Sequence, residues 1–295
     1  MDNAGRRTDR GMVQRNGSAG RIMAPTMHRR PLIASALGAL LGVVLVMQTA
    51  DARTETAVDL ELVLAVDVSG SMDQGEHERQ RRGYVGALQH PDVVRAIRLG
   101  PLRRIAVAYV EWAGAASQVV AVPWRLIEDA TSARAVANEL AATPIALIRG
   151  TSISGAIDFA AGFFEGNDFA GTRRIIDISG DGPNNRGLPV VPVRNAALER
   201  GIIINGLPIM VRPSLSGAIP GMALDRYYVE CVIGGPGAFV LPVEAASQLA
   251  TAIRRKLVLE IAGVSPPRIV NAATDVAQAS FDCLIGERRR RLWDP

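Results

Sequence analysis

The stretch Leu60-Glu61-Leu62-Val63-Leu64-Ala65-Val66-Asp67-Val68-Ser69-Gly70-Ser71-Met72-Asp73 decides how the rest of the chain is read. Its run from Leu62 to Val66 has the length and branching of a strand buried on both faces, as in a parallel sheet. The run stops at Asp67, and Ser69 and Ser71 follow at spacings of two, on a loop that must turn tightly at Gly70. Carboxylate and hydroxyl oxygens with no His or Cys beside them form a donor set for a hard cation, and Mg²⁺ suits it best. The same residues also fit a strand ending in a capped turn, with Ser71 or Asp73 starting the helix that holds Glu76 and Tyr84. The choice between these readings rests on the other loops of the chain.

Toward the N-terminus, His28-Arg29-Arg30 precedes a weakly polar and apolar segment, 31–47, and then Thr49-Ala50-Asp51-Ala52. Basic flank, hydrophobic segment and Ala-x-Ala ending are the three parts of a secretory signal, so 1–52 is expected to be a leader cleaved after Ala52. An uncleaved membrane anchor is the alternative, because about 17 apolar residues fall between a signal core and a comfortable span. Arg29-Arg30 before Pro31-Leu32-Ile33 fits a twin-arginine signal and ordinary positive flanks alike. Met23 or Met27 is a candidate start.

The chain holds 33 basic and 29 acidic residues, net +4. Residues 1–52 account for seven arginines and three aspartates, which leaves 26 of each sign, so the exported part is neutral. No broad basic surface is implied, and nucleic acid is not an expected partner. With 48% hydrophobic residues the chain can build a sizeable core. Aromatics are scarce, and one lysine, Lys256, stands against many arginines, a bias that composition alone assigns to a GC-rich genome. Both cysteines, Cys231 and Cys283, lie in the exported part, where an oxidising compartment favours a disulfide tying the tail to the body; two unrelated buried thiols are the alternative.

From Thr54 onward strand-like and helix-like segments alternate, the pattern of an α/β fold with a mostly parallel sheet. Helices are expected over 75–89, 131–142 (capped by Thr131 or Ser132), 156–164, 190–200, 222–231 and 244–262. Strands are expected over 104–112, 118–124, 174–179, 202–207 and 238–242. The short Ala113-Gly114-Ala115 joint suggests a hairpin, placing one antiparallel strand at an edge. One domain over 54–262 with a tail over 263–295 is the economical organisation.

In open parallel sheets ligands sit beyond the carboxyl ends of the strands. Thr151 opens a helix apolar around most of its circumference, and Asp181 directly follows a strand, so both can reach the crest above Asp67. Two carboxylates and three hydroxyls would form an oxygen cage with a position left for an anionic ligand.

Here the sequence resembles the von Willebrand factor A family, whose metal-ion-dependent adhesion site is D-x-S-x-S, then Thr, then Asp, on three loops. Asp67-Val68-Ser69-Gly70-Ser71 matches the first, Thr151 the second, and Asp181 with Gly182 the third. Over about 58–262 the resemblance implies a doubly wound, mostly parallel six-stranded sheet. It implies that Ser69, Ser71 and Thr151 contact the metal directly, and Asp67 and Asp181 directly or through water. Mg²⁺ is the implied ion, with Mn²⁺ and Ca²⁺ as alternatives, and a partner's Asp or Glu carboxylate the implied ligand. The whole chain is most similar to an uncharacterised group of exported bacterial proteins that share Ser179-Gly180-Asp181-Gly182-Pro183-Asn184-Asn185. Gly180 departs from the Thr or Ser that commonly precedes the Asp, and Pro183-Asn184-Asn185 from the usual acidic continuation. Thr143, before Pro144, is a rival for the Thr role.

Other chemistries find less support. His77 and His90 stand in no triad context and are expected to face solvent; no G-x-S-x-G elbow, H-E-x-x-H pair or Walker loop occurs. Gly234-Gly235-Pro236-Gly237 reads as an ordinary turn. Trp112 and Trp124 are expected to be packing residues, and Arg288-Arg289-Arg290-Arg291 a solvated tail. The expectation is a non-enzymatic, envelope-located binding protein; a structural module with a vestigial metal site is the alternative.

Overall fold

The computed structural model describes residues 55–145, 148–211, 223–265 and 281–293; the expected leader and Met222 lie outside them. Along the chain come β1 (Thr56–Val58), β2 (Glu61–Asp67), α1 (Gln74–Leu88), α2 (Pro91–Leu99), β3 (Ile105–Trp112) and β4 (Gln118–Ile127). They are followed by α3 (Ala130–Ala142), α4 (Ile153–Phe163), β5 (Phe169–Gly171), β6 (Arg174–Gly180), α5 (Val190–Glu199) and β7 (Ile202–Pro208). Last come α6 (Leu224–Tyr227), a π-helical turn (Tyr228–Val232), a 3₁₀ turn (Ala246–Gln248), α7 (Leu249–Ala262) and α8 (Ile285–Trp293).

The main sheet has the order β4-β3-β2-β6-β7. β2 lies at its centre, parallel to β3 and β6; β7 continues the parallel set, and β4 is the antiparallel edge expected from the hairpin. Every residue of β2 is buried, because side chains alternate between two covered faces. Leu62, Leu64 and Val66 join a core cluster with residues of α1, α2, α3 and α7. Val63 and Ala65 join another with residues of α4, α5, α6 and the π turn. That division makes the sheet doubly wound. β1 and β5 form a separate parallel pair.

The main sheet holds five strands. The segment expected as a sixth, 238–242, runs beside β7 through isolated bridges, Gly206 with Val240 and Ile209 with Val243. Pro208 and Pro242 bring no N–H to this seam, which interrupts a regular ladder. α2 lies where no helix was expected: Pro91 is the first residue of a helix capped by His90, whose Nδ1 accepts from the Asp92 N–H. Asp129, rather than Thr131 or Ser132, caps α3, accepting from both of their N–H groups. The helix expected over 222–231 is divided between α6 and the π turn, and the arginine-rich tail forms α8. His77 is 2% exposed, so the solvent-facing expectation was wrong for it; His90 is half-buried in its capping role. The disulfide joins Cys231 to Cys283.

Candidate metal centre

Five oxygen-bearing side chains converge at the carboxyl end of β2. Asp67 ends that strand, and its Oδ1 accepts the Ser69 N–H at 2.7 Å, folding the first loop back over the strand end. Ser69 Oγ lies 2.9 Å from Ser71 Oγ, and Ser71 Oγ donates to Asp181 Oδ1 at 2.6 Å. Thr151 Oγ1 donates to Ser69 Oγ at 3.5 Å. Asp67, Ser69, Thr151 and Asp181 are all buried. Directly after Ser71 and Met72 the chain enters α1 through a capping box, in which Asp73 accepts from the Glu76 N–H and Glu76 accepts from the Asp73 N–H. A helix start fixed this way limits how far the first loop can drift.

The second and third loops are stitched to one another. Asn185 Oδ1 accepts the Thr151 N–H at 3.1 Å, while Thr151 O accepts from the Asn185 and Arg186 N–H groups. Asn184 Oδ1 accepts both the N–H and the Oγ–H of Ser154, at 3.0 and 3.2 Å. Ser152 caps α4 by accepting from the Gly155 N–H. Asn184 and Asn185, a departure from the family pattern, thus bind the Asp181 loop to the Thr151 loop. The sequence reading gave these residues no role; two adjacent asparagines, which can imitate backbone donors and acceptors, were the available signal. Thr143 is elsewhere, its Oγ1 donating to the Ala121 and Glu139 carbonyls at the end of α3.

Gly180 also has a local cause. A Cβ there would sit 3.0 Å from both Asp67 Oδ2 and the Tyr228 hydroxyl. Tyr228, fully buried on the π turn, occupies the space that a Thr or Ser side chain would need. Nothing in the sequence pattern brings Tyr228 to this crest.

The electrostatics fit a cation. Asp67 Oδ2 is buried and makes no hydrogen bond. Burial first, and the facing charge of Asp181 second, push the Asp67 carboxyl up to about 8 from an ordinary 3.8. Two carboxylates brought this close favour a proton on Asp67 that a divalent ion would replace. Among the described residues no group of three or more His, Cys, Asp and Glu is placed to hold a metal. The donor set at this crest is two carboxylates with three hydroxyls, which suits Mg²⁺, Mn²⁺ or Ca²⁺ better than softer ions. A groove lined by Met72, Glu76, Gln80, Asp181, Ile209 and Leu249 adjoins it.

Comparison with known proteins agrees with this architecture. Proximal thread matrix protein 1 from the mussel byssus superposes with a TM-score of 0.51 and 15% identity, over 70% of this chain and 49% of that one. The pilus adhesin SpaC from Lactobacillus rhamnosus GG gives 0.51 and 12%, over 71% and 31%. A von Willebrand factor type A protein from Catenulispora acidiphila gives 0.49 and 14%, over 70% and 43%. The chain spans about half, or less, of the length of these structures, and at such identities the likeness is one of fold alone. No curated protein matches the chain. Residues 57–265, from β1 to just past α7, match the family described as "Protein of unknown function (DUF1194)", and the chain belongs to that family.

Proposed function

We propose that this domain is a cation-dependent protein-binding module of the bacterial cell envelope. Asp67, Ser69, Ser71, Thr151 and Asp181 would hold Mg²⁺, or Mn²⁺ or Ca²⁺ in its place. When bound, the ion supplies a coordination position for a carboxylate oxygen from an Asp or Glu of a protein partner. The observation that carries the reading is Asp67 Oδ2, buried without a hydrogen bond opposite Asp181. A buried carboxylate oxygen without a partner is costly unless something cationic completes it. Asn184 and Asn185 hold the second and third loops in register, and the adjoining groove offers Ile209 and Leu249 for apolar contact beside the captured carboxylate. The disulfide supports an oxidising, exported location. Among the described residues no helix is long and apolar enough to cross a membrane. The names of two fold neighbours, a pilus adhesin and a thread matrix protein, accord with an adhesive role rather than catalysis.

Thermal melts with Mg²⁺, Mn²⁺, Ca²⁺ and EDTA test the ion, since a ligand that binds only the folded state at 100 times its Kd adds about 2.7 kcal/mol. The wild type is expected to gain stability with at least one ion, and Asp67→Ala and Asp181→Ala to lose that gain while staying folded. Capture of an envelope protein that EDTA releases tests the partner. Melts identical in EDTA and every ion point to a vestigial site and overturn the proposal.

A further inference from the structure

Away from the crest, the core contains a second cluster of reactive groups that cation binding does not use. Lys256 on α7 is 1% exposed, as are Asp177 on β6 and Glu260 one turn further along α7. Lys256 Nζ lies 2.6 Å from Asp177 Oδ1, in an ion-pair contact, and 2.5 Å from Glu260 Oε1. Asn205 Nδ2 donates to the same Glu260 oxygen at 2.9 Å, and Asn205 Oδ1 is fixed by the Phe239 N–H. The Phe239 ring covers the amine, 5.6 Å from Nζ. The cluster is buried, aromatic-walled and held from several sides.

Lys256 is the only lysine in a chain with 32 arginines. Charge pairing alone does not explain it. Arginine makes the stronger geometry with carboxylates, and this chain uses it for another buried pair, Arg81 with Glu111. What a guanidinium cannot do is lose a proton and act as a nucleophile, which an amine in a dry site can. Two carboxylates around one ammonium also leave an excess acid, and burial raises both the Asp177 and the Glu260 carboxyls, the latter to about 7.

We propose that Lys256 and Asp177 condense into an intramolecular isopeptide bond between α7 and β6, with Glu260 as the proton carrier. The ammonium first gives one proton to Asp177. The Nζ lone pair then attacks the Asp177 carboxyl carbon, and the C=O π pair moves to oxygen. Glu260 accepts a second Nζ proton and passes it to the leaving hydroxyl, which departs as water while the carbonyl reforms. Nζ keeps one hydrogen, Glu260 ends as it began, and no oxidant or co-reactant is needed. Proximity supplies the driving term, since the nucleophile and acid are already at contact distance.

The test uses the purified full chain, reduced and then unfolded in guanidinium with an amine-acylating reagent. The bonded protein is lighter than its sequence by one water and takes no label at Lys256. Arg-specific digestion then yields a branched peptide joining 175–186 to 256–268. Lys256→Arg and Glu260→Gln are expected at full mass without that peptide. The wild-type result stands even where these variants fail to fold. Full mass with Lys256 acylated, or a link to any residue other than Asp177, overturns the proposal, and a Glu260→Gln chain that links like wild type removes the proton carrier from it.

Discussion

Asp67 shows how one side chain can be costly to the fold and central to the proposed cation site. Its carboxyl is held at about 8 against an ordinary 3.8 by burial and by Asp181. A raised folded value means that the folded, cation-free protein keeps a proton that the unfolded chain releases. The stability tied to that proton is therefore fully present below the ordinary value and lost as pH rises through about 8. In EDTA the melting temperature should fall across this range. In Mg²⁺ the decline should be offset, because the ion competes with the proton and binds better as pH rises. Asp67→Asn preserves shape without the charge. It is expected to flatten the EDTA decline, equal or exceed the wild type at pH 8, and lose the Mg²⁺ increment. Melting temperatures against pH for both proteins check this, and an Asp67→Asn profile as steep as the wild type's would remove Asp67 as the source. Gly180 belongs to the same local economy, since any Cβ there crowds Asp67 Oδ2 and the Tyr228 hydroxyl.

At the scale of elements, Asn184 is the joint between the second and third loops. It accepts from Ser154 twice, and its Nδ2 donates to Leu188 O and to Glu287 Oε1. Removing a buried hub of this kind leaves several groups without partners, so Asn184→Ala should destabilise by about 2–3 kcal/mol in urea unfolding. It should also weaken ion binding although Asn184 belongs to none of the proposed ligands. An Asn184→Ala chain with unchanged ion affinity would show that the loops hold their register without it. The sheet was legible because β2, β3 and β6 are apolar runs with sharp ends, and the crest because Asp67, Ser69 and Ser71 stand in adjacent, strongly patterned positions. The buried face of α1 was not legible. It carries His77, Gln80 and Arg81 beside Tyr84, so a helix that packs inward has the composition of one that faces water. Arg81 is accommodated by Glu111 and by the carbonyls of Leu140 and Thr143, partners distant in sequence. No helix was expected between 89 and 104, yet Pro91 begins one. Tyr228 and Asn184 act only through neighbours that folding supplies, and no local pattern announces them.

For the molecule as a whole, the tail is part of the site's support. The disulfide joins the π turn that carries Tyr228 to the segment leading into α8, across a sequence separation of 52. From α8, Glu287 accepts from Asn184, and Gly286 approaches so closely that a Cβ would lie 2.0 Å from Asn184 O. Phe281 packs on Tyr227, whose hydroxyl accepts the Asn184 N–H. Tail, π turn and third loop therefore meet at one asparagine, so the covalent link should matter to the ion as well as to the fold. Closing a loop of this length removes chain entropy worth about 4 kcal/mol from the unfolded state. The double variant Cys231→Ser, Cys283→Ser should lose stability of that order in urea unfolding. Its Mg²⁺ titration midpoint should also move to higher concentration, because part of the ordering of Asn184 must then accompany ion binding. Urea curves and Mg²⁺ titrations on wild type and variant separate the two effects. Lost stability with an unmoved midpoint confines the disulfide to the fold, whereas a shift in both makes the tail a determinant of the site.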